Sequence, residues 1–317
     1  MRREIASGTA PAAKRLPPMT EPDFDCLIVG GGPAGLMAAI YLARFRRRVC
    51  VVDAGASRAA LIPRSHNMAG FVHGLSGTDL LARMSAQLGE LAVTRVDAEV
   101  TALRRHERGF QAIWNGGAHA AATVILACGI VDIHPPFEEW RAAVADGLLR
   151  YCPVCDAFEA IGRRIGIVGP LHRAAGKALF MRGYSRDVTL LATGEDDGKA
   201  AAAELTEAGV EIVVAPGLRL RRSDDSVEAV FADGRTAQFE MIYPVMGAQV
   251  RSHLAMNLGA EHTGEGYLKV DDHQRSSVDG LYGIGDVVTD LHQISVAFGH
   301  AAVTACTIHH SLPRRLA

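Results

Sequence analysis

Aromatic residues are scarce in this chain, at 6% of 317 positions, and there is no excess of either charge: 33 Lys and Arg face 35 Asp and Glu, a formal net charge of -2. Without a basic field, neither nucleic acid nor an anionic membrane surface is an expected partner. No apolar run reaches the roughly 18 residues that a spanning helix needs, so no membrane segment is expected. The first 23 residues are polar, rich in Pro, Ala and Arg, and carry no apolar core of a secretory signal. They read as a disordered tail, with Met19 an alternative start. Cysteine is also sparse. Six in a chain of this length do not make a disulfide scaffold, which fits a reducing, cytoplasmic setting. Short repeats are missing too.

What is abundant is glycine, with 33 residues, and apolar side chains, at 49%. That combination suits α/β sheets with many tight strand-to-helix turns, and the length suggests two domains. From Asp25 an apolar strand runs into Gly30-Gly31-Gly32-Pro33-Ala34-Gly35 and then into a helix. Val49 to Val52 forms a second strand ending at Asp53. Thr78 to Leu91 has helical spacing, and Gly109 to Ala127 reads as strands around an Asn115-Gly116-Gly117 hairpin. Pro135-Pro136 marks a crossing point.

A second strand–helix–strand pattern spans Ile165–Val168, a helix to about Gly183, and Asp187–Leu191. A helix over Gly198–Ala208, a strand Val210–Val214, a polar hairpin and a strand Met241–Val245 follow. The chain closes with a helix over Ser295–Leu312. The expected fold is therefore α/β, with two Rossmann-like nucleotide-binding domains of the three-layer ββα kind, the second inserted in the first. The boundaries expected are 24–134 with 247–317 for the first, discontinuous domain, and 135–246 for the inserted one.

Gly30, Gly32 and Gly35 form G-x-G-x-x-G between a strand and a helix, the context that the motif requires. The first glycine makes the turn, the second lets backbone approach a pyrophosphate, and the third permits close helix packing. Amides at the helix start, including those of Ala34 and its neighbours after Pro33, suit phosphate. Asp53 stands where an acid would bind a ribose hydroxyl; a plain tight turn is the competing reading. Gly285-Asp286, after an apolar strand, suits a ribityl or ribose hydroxyl and favours FAD over NAD, against an ordinary turn.

Cys152-Pro153-Val154-Cys155 precedes Asp156. A C-x-x-C beside a strand–helix–strand pattern reads as a redox dithiol. A zinc site would need a second ligand pair, which the sequence lacks. Asp156 is placed to move the proton that thiol exchange requires. The other four cysteines sit singly among apolar neighbours, as small core residues. The second glycine turn reads Gly169-Pro170-Leu171, with Leu171 where a second glycine would admit a pyrophosphate. Glu195-Asp196-Asp197 stands where an NADP site would want arginines. An NADPH pocket there is expected to be degenerate; the alternative is a divergent loop that holds NAD weakly through Glu195. Arg44 to Arg48, with four arginines, and His309-His310 read as solvated helix-end charges.

Taken together, the glycine turn, the Cys-Pro-Val-Cys-Asp run and Gly-Ile-Gly-Asp at 283–286 followed by Gln293 resemble the low-molecular-weight thioredoxin reductase family over about Phe24 to Leu312. The resemblance implies a homodimer and electron flow through FAD and the dithiol to a protein disulfide. It implies that Asn67 contacts FAD, that Val100 lies by the adenine, that Gln293 and Ile294 lie near the flavin ring, and that Asp156 is the proton donor. It further implies that Cys155 exchanges with the flavin while Cys152 attacks the partner. Because of Leu171, the chain is closer to members without a working nicotinamide site. Some of those are similar to ferredoxin-dependent enzymes. Others resemble oxidases of small dithiols that use oxygen; these carry His after the second cysteine, where this chain has Asp156. A thioredoxin-like protein or a small disulfide is the expected acceptor, and a ferredoxin the expected donor.

Overall fold

A computed structural model of the chain describes residues 21–194 and 199–314. The first twenty residues of the expected tail, Met19 among them, and Glu195-Asp196-Asp197 lie outside the described residues. The chain begins with β1 (Phe24–Val29), α1 (Pro33–Arg44), β2 (Val49–Asp53), α2 (Gly77–Gly89) and β3 (Val93–Asp97). Then come β4 (Val100–His106), β5 (Gly109–Trp114), β6 (Gly117–Leu126) and the short β7 (Ile130–Asp132). A second body of chain carries α3 (Trp140–Ala145), α4 (Pro153–Asp156), β8 (Ile165–Gly169), α5 (Leu171–Arg182), β9 (Val188–Ala192), α6 (Lys199–Glu207) and β10 (Glu211–Val214). It continues as β11 (Arg219–Ser223), β12 (Ser226–Val230), β13 (Thr236–Phe239) and β14 (Met241–Pro244). The last stretch holds β15 (Ala248–Val250), α7 (His253–Met256), β16 (Leu281–Gly283) and α8 (Ile294–Ser311).

Seven strands form the first sheet, in the order β3-β2-β1-β6-β5-β4, with β16 also on β6. Its centre is parallel, and β4-β5-β6 is an antiparallel meander. The long β6 makes both possible. Its first half pairs with β5, and Val124–Leu126 turns the same edge to β16. The returning segment is thus stitched into the N-terminal sheet. The second sheet is parallel, β10-β9-β8-β14, and the antiparallel β11-β12-β13 forms a third. Each parallel sheet lies between helices on one face and antiparallel strands or loops on the other, as two Rossmann-like units predict. Between the units, β7 and β15 pair antiparallel where the chain passes out and back.

Local sequence explains most of these elements. In α2, Leu80, Met84 and Leu88 recur every fourth residue and are buried, while the Ser76 side chain caps the first turn by accepting from the Asp79 amide at 3.0 Å. In α1 nearly every face is covered, because α8 packs on the side that the sheet leaves free. Burying Leu36, Ile40 and Leu42 stabilises by about 1.5–3 kcal/mol each.

Two expectations are corrected. Arg44, Arg46 and Arg48 are exposed, but Arg47 is only 4% exposed. Its guanidinium reaches the end of α8, donating to the His309 and Pro313 carbonyls at 2.8 and 2.9 Å and to His309 Nδ1 at 3.2 Å. It therefore caps carbonyls that the helix leaves unpaired. His309 is half-buried, and burial together with Arg47 and His310 holds it below its ordinary value, so it serves as an acceptor and not as a solvated cation. The second correction concerns cysteine. Cys26 and Cys50 are core residues, whereas Cys128 and Cys306 are partly exposed.

Arg47→Ala is expected to cost about 3 kcal/mol, from lost charge-assisted bonds and orphaned carbonyls; denaturant unfolding measures it. His309 adds a pH dependence. Its folded-state affinity for a proton is lower than in the unfolded chain, so its stabilising contribution is present above the ordinary His value and lost as pH falls below it. Unfolding midpoints of His309→Gln should accordingly drop less than the parent's between neutral and mildly acid pH.

Candidate functional site

Strand β1 delivers its chain to a glycine turn under which a cavity opens. Gly30 has φ +109°, and a Cβ on it would lie 2.4 Å from the Ala127 carbonyl oxygen. Only glycine makes that turn against β6. A Cβ on Gly35 would sit 1.9 Å from the Gly30 oxygen, so the third glycine lets α1 close on the turn. Helix α1 has no side-chain cap at its start. Its first amides therefore face the cavity with no partner from a side chain.

Gly30, Gly32, Pro33, Ala34, Asp53, Val100, Gly285, Asp286, Gln293 and Ile294, all expected from sequence, line that cavity. Gly35 lies behind it. Asn67 lines a second chamber of about 320 Å³, together with Cys152, Cys155 and Asp156. Arg58, Ile62, His292, Gln293 and Ile294 line both, so the two spaces adjoin.

Cys152 and Cys155 are joined as a disulfide, with Cα atoms 5.3 Å apart. Cys152 caps the short α4, which begins at Pro153. The disulfide faces the start of α8. There Gln293, the capping residue, donates Nε2 to both sulfurs at 3.2 and 3.3 Å. Its Oε1 accepts from Asn67 Nδ2 at 2.9 Å, which orients the amide. An amide donor and a helix N-terminus at the sulfurs both favour a thiolate once the bond opens.

Asp156 Oδ1 accepts from the Tyr243 hydroxyl at 2.9 Å, and Oδ2 faces Arg150 Nη1 at 3.3 Å. Burial pushes this carboxyl above its ordinary value; Arg150 and Tyr243 pull it back without cancelling the rise. Asp286 behaves likewise, raised by burial against the pull of His292 and Arg58. Arg58 holds Asp132 with two bonds of 2.6 and 3.0 Å and reaches Asp286 at 3.7 Å. His292, held below its ordinary value by burial, lies 3.2 Å from the Tyr267 hydroxyl. His300 accepts the Gly285 amide at 3.3 Å, so it supports the Gly-Asp turn from behind.

Sequence reasoning missed Arg58, Asp132, Arg150, Tyr243 and the pair His134–Tyr151, in which the imidazole Nδ1 meets the phenol. None lies in a motif. Tyr243 sits in an apolar strand, where nothing marks its hydroxyl for Asp156. Cys128 also lines the first cavity; burial of its thiol pushes it up to about 12, which disfavours the thiolate.

The residues present fit FAD. Backbone amides at an uncapped helix start meet a turn in which Gly30 and Gly35 admit no Cβ while Gly32 faces the cavity, Asp53 lines the cavity against Gly31, and Asp286 lies 3.7 Å from Arg58, which lines both spaces. Residues 24–301 match the sequence profile of the pyridine nucleotide-disulphide oxidoreductases. Thioredoxin reductase of Treponema pallidum (strain Nichols) is 26% identical over 297 residues, covering 90% of this chain and 96% of its own. A ferredoxin–NADP reductase of Granulibacter bethesdensis is 28% identical over 320 residues, covering 90% and 89%. Among solved structures, HlmI superposes with a TM-score of 0.83 at 27% identity, covering 90% of this chain and 91% of that one. With the match running from β1 into α8, the chain belongs to the pyridine nucleotide-disulphide oxidoreductase family, and within it is an FAD-binding oxidoreductase of sulfur groups that resembles the thioredoxin reductases.

Proposed function

We propose that this protein passes electron pairs between FAD and the Cys152–Cys155 dithiol and on to the disulfide of a thioredoxin-like protein, with a ferredoxin-like protein as donor in place of NADPH. The observation that carries this reading is Gln293, which lines the glycine-turn cavity while bonding both sulfurs. Residues 24–134 and 247–317 are assigned to the FAD domain and 135–246 to the dithiol domain; the separate sheets and the β7–β15 pair support that division.

FAD would be held by the α1 amides, Asp53, Val100 and Asp286, with Gln293, Ile294 and Asn67 toward its redox end, and when bound it supplies a carrier of two electrons. The chain's own residues do the sulfur chemistry. The Cys152 thiolate attacks one substrate sulfur, and the substrate bond breaks with its electron pair on the other sulfur. Cys155 then attacks Cys152, re-forming the disulfide and releasing the second substrate thiol. Asp156, raised by burial, takes and returns the proton that each thiol must lose or gain.

Support for a donor other than NADPH comes from the second turn. Helix α5 starts at Leu171, directly after Pro170, which has no N–H. Leu171 is buried in the core under α5, filling the place where a glycine would admit a pyrophosphate. Anaerobic mixing tests this. Reduced ferredoxin is expected to bleach the flavin within seconds, with NADPH and NADH slower by about a hundredfold or more. Stoichiometric bleaching by NADPH at the ferredoxin rate would sink the donor assignment. The chamber beside the disulfide favours a second reading, an oxidase of small dithiols. Oxygen uptake with a small dithiol and no protein acceptor would select it.

A further inference from the structure

We infer that Tyr243 and Arg150 are positioning residues for the dithiol's acid, gripping the two oxygens of the Asp156 carboxyl so that it stays aimed for proton exchange beside the sulfurs. The inference rests on the proposed role of Asp156 as that acid.

Tyr243 lies on β14, the edge strand that pairs with β8 in the second sheet, and is 0% exposed. Its strand neighbours Met241, Ile242 and Pro244 are apolar. A phenylalanine would fill the same space without a polar atom to satisfy. The hydroxyl is therefore the feature that needs a reason. Among the described residues it bonds Asp156 twice, donating at 2.9 Å to Oδ1 and at 3.4 Å to the backbone oxygen. Arg150 is fixed from its other side, since Nε donates to the Gly147 carbonyl at 2.8 Å while Nη1 faces Oδ2. Asp156, Arg150 and Tyr243 all lie within 135–246, the body of chain that carries the dithiol. The acid thus keeps its holders wherever the cysteines go.

The charged and titratable groups that face Asp156 are Arg150, Tyr243 and Glu159. Glu159 lines the same chamber, with Oε2 buried and unpartnered, and its charge opposes ionisation of Asp156. Farther along the chamber, Asp132 is taken up by Arg58 and Asp146 by Arg222. From α5, which packs on the cysteine turn, the half-buried Lys177 feels Asp132 and Arg58, while His172 and Arg173 are exposed.

The step concerned is reduction of the disulfide by a dithiol. A substrate thiolate attacks one cysteine sulfur, a new S–S bond forms, and the Cys152–Cys155 bond breaks with its electron pair on the departing sulfur. That sulfur takes the proton of the Asp156 carboxyl. The second substrate thiol then displaces the first cysteine, leaving an oxidised substrate and two cysteine thiols. Proton delivery is available while Asp156 is protonated and is lost as pH rises through its value. Tyr243 and Arg150 both favour the carboxylate, so removing either extends delivery to higher pH.

The test mixes the FAD-loaded protein anaerobically with dithiothreitol across pH, quenches with acid, and counts electron pairs as alkylated thiols plus bleached flavin. The variant-to-parent ratio cancels ionisation of the dithiothreitol itself. Tyr243→Phe should move the inflection up by about one pH unit. Arg150→Gln should move it the same way, and it keeps the test open where Tyr243→Phe fails to fold. Asp156→Asn should erase the inflection, and adding Tyr243→Phe to it should change nothing more. Three results would overturn the inference. An unmoved inflection in Tyr243→Phe and Arg150→Gln, with Asp156→Asn erasing it, removes the positioning role alone. A Tyr243→Phe shift that persists in Asp156→Asn shows that the tyrosine acts elsewhere. An inflection intact in Asp156→Asn removes the acid itself, and the inference with it.

Discussion

Replacing Cys155 with serine, Cys152 left in place, is expected to lower disulfide turnover by about a thousandfold or more, with the protein still yellow and folded. A serine hydroxyl cannot form the S–S bond through which the pair stores two electrons, and it is hardly ionised at neutral pH. Gln293 would still lie against one sulfur, so the site would keep its shape but lose its chemistry. Little stability is at stake. The disulfide closes a loop between residues three apart, worth about 2 kcal/mol by chain entropy. Cys152→Ser should be equally inactive. The two variants differ in which sulfur remains. Anaerobic titration of the flavin, compared with alkylation of the single thiol, shows which cysteine lies open to reagents and which is turned toward the cavity. Turnover within tenfold of the parent in both variants would remove the dithiol from the mechanism.

The strength of the sequence signal tracks how local its cause is. Gly30, Gly32 and Gly35 were legible because a turn is set by residues a few positions apart, and β1, α1 and β2 form as expected. The Asn115-Gly116 hairpin was legible for the same reason. Strands β3 and β4 were not, because Val93–Asp97 and most of Val100–His106 carry mixed polar side chains on an exposed edge, without a buried face to impose alternation. The polar hairpin grew to three strands once Thr236–Phe239 paired with β12.

The site shows the same division. Cys152, Cys155 and Asp156 are contiguous and were found. Asn67 and Gln293 were placed by resemblance, and their bond to each other, across 226 positions, belongs to the folded chain alone. Arg47 was misread because helix-end arginines are usually solvated, and nothing near it in sequence shows that the last carbonyls of α8 would arrive beside it.

Gly35→Ala is expected to yield a colourless, destabilised protein. Its new methyl carbon would lie 1.9 Å from the Gly30 oxygen and 3.3 Å from the Ala127 side chain. Neither neighbour can swing away: the first is backbone of the turn itself, and the second belongs to the segment that closes β6 against β1. Helix α1 would have to lift from the sheet, taking its buried Leu36, Ile40 and Leu42 with it, at a cost of about 3 kcal/mol or more. Gly32→Ala separates folding from binding. A Cβ there meets only Ser57 Oγ, at 3.2 Å, and otherwise points into the cavity. That variant should unfold near the parent's midpoint yet lose FAD affinity, because the methyl stands where a pyrophosphate must approach the backbone. Thermal unfolding of both, with flavin content read from the visible spectrum, gives the comparison. The cavity fails as the FAD site if Gly32→Ala keeps its full complement of flavin, whatever becomes of Gly35→Ala, since only the former tests contact with the ligand apart from closure of the fold.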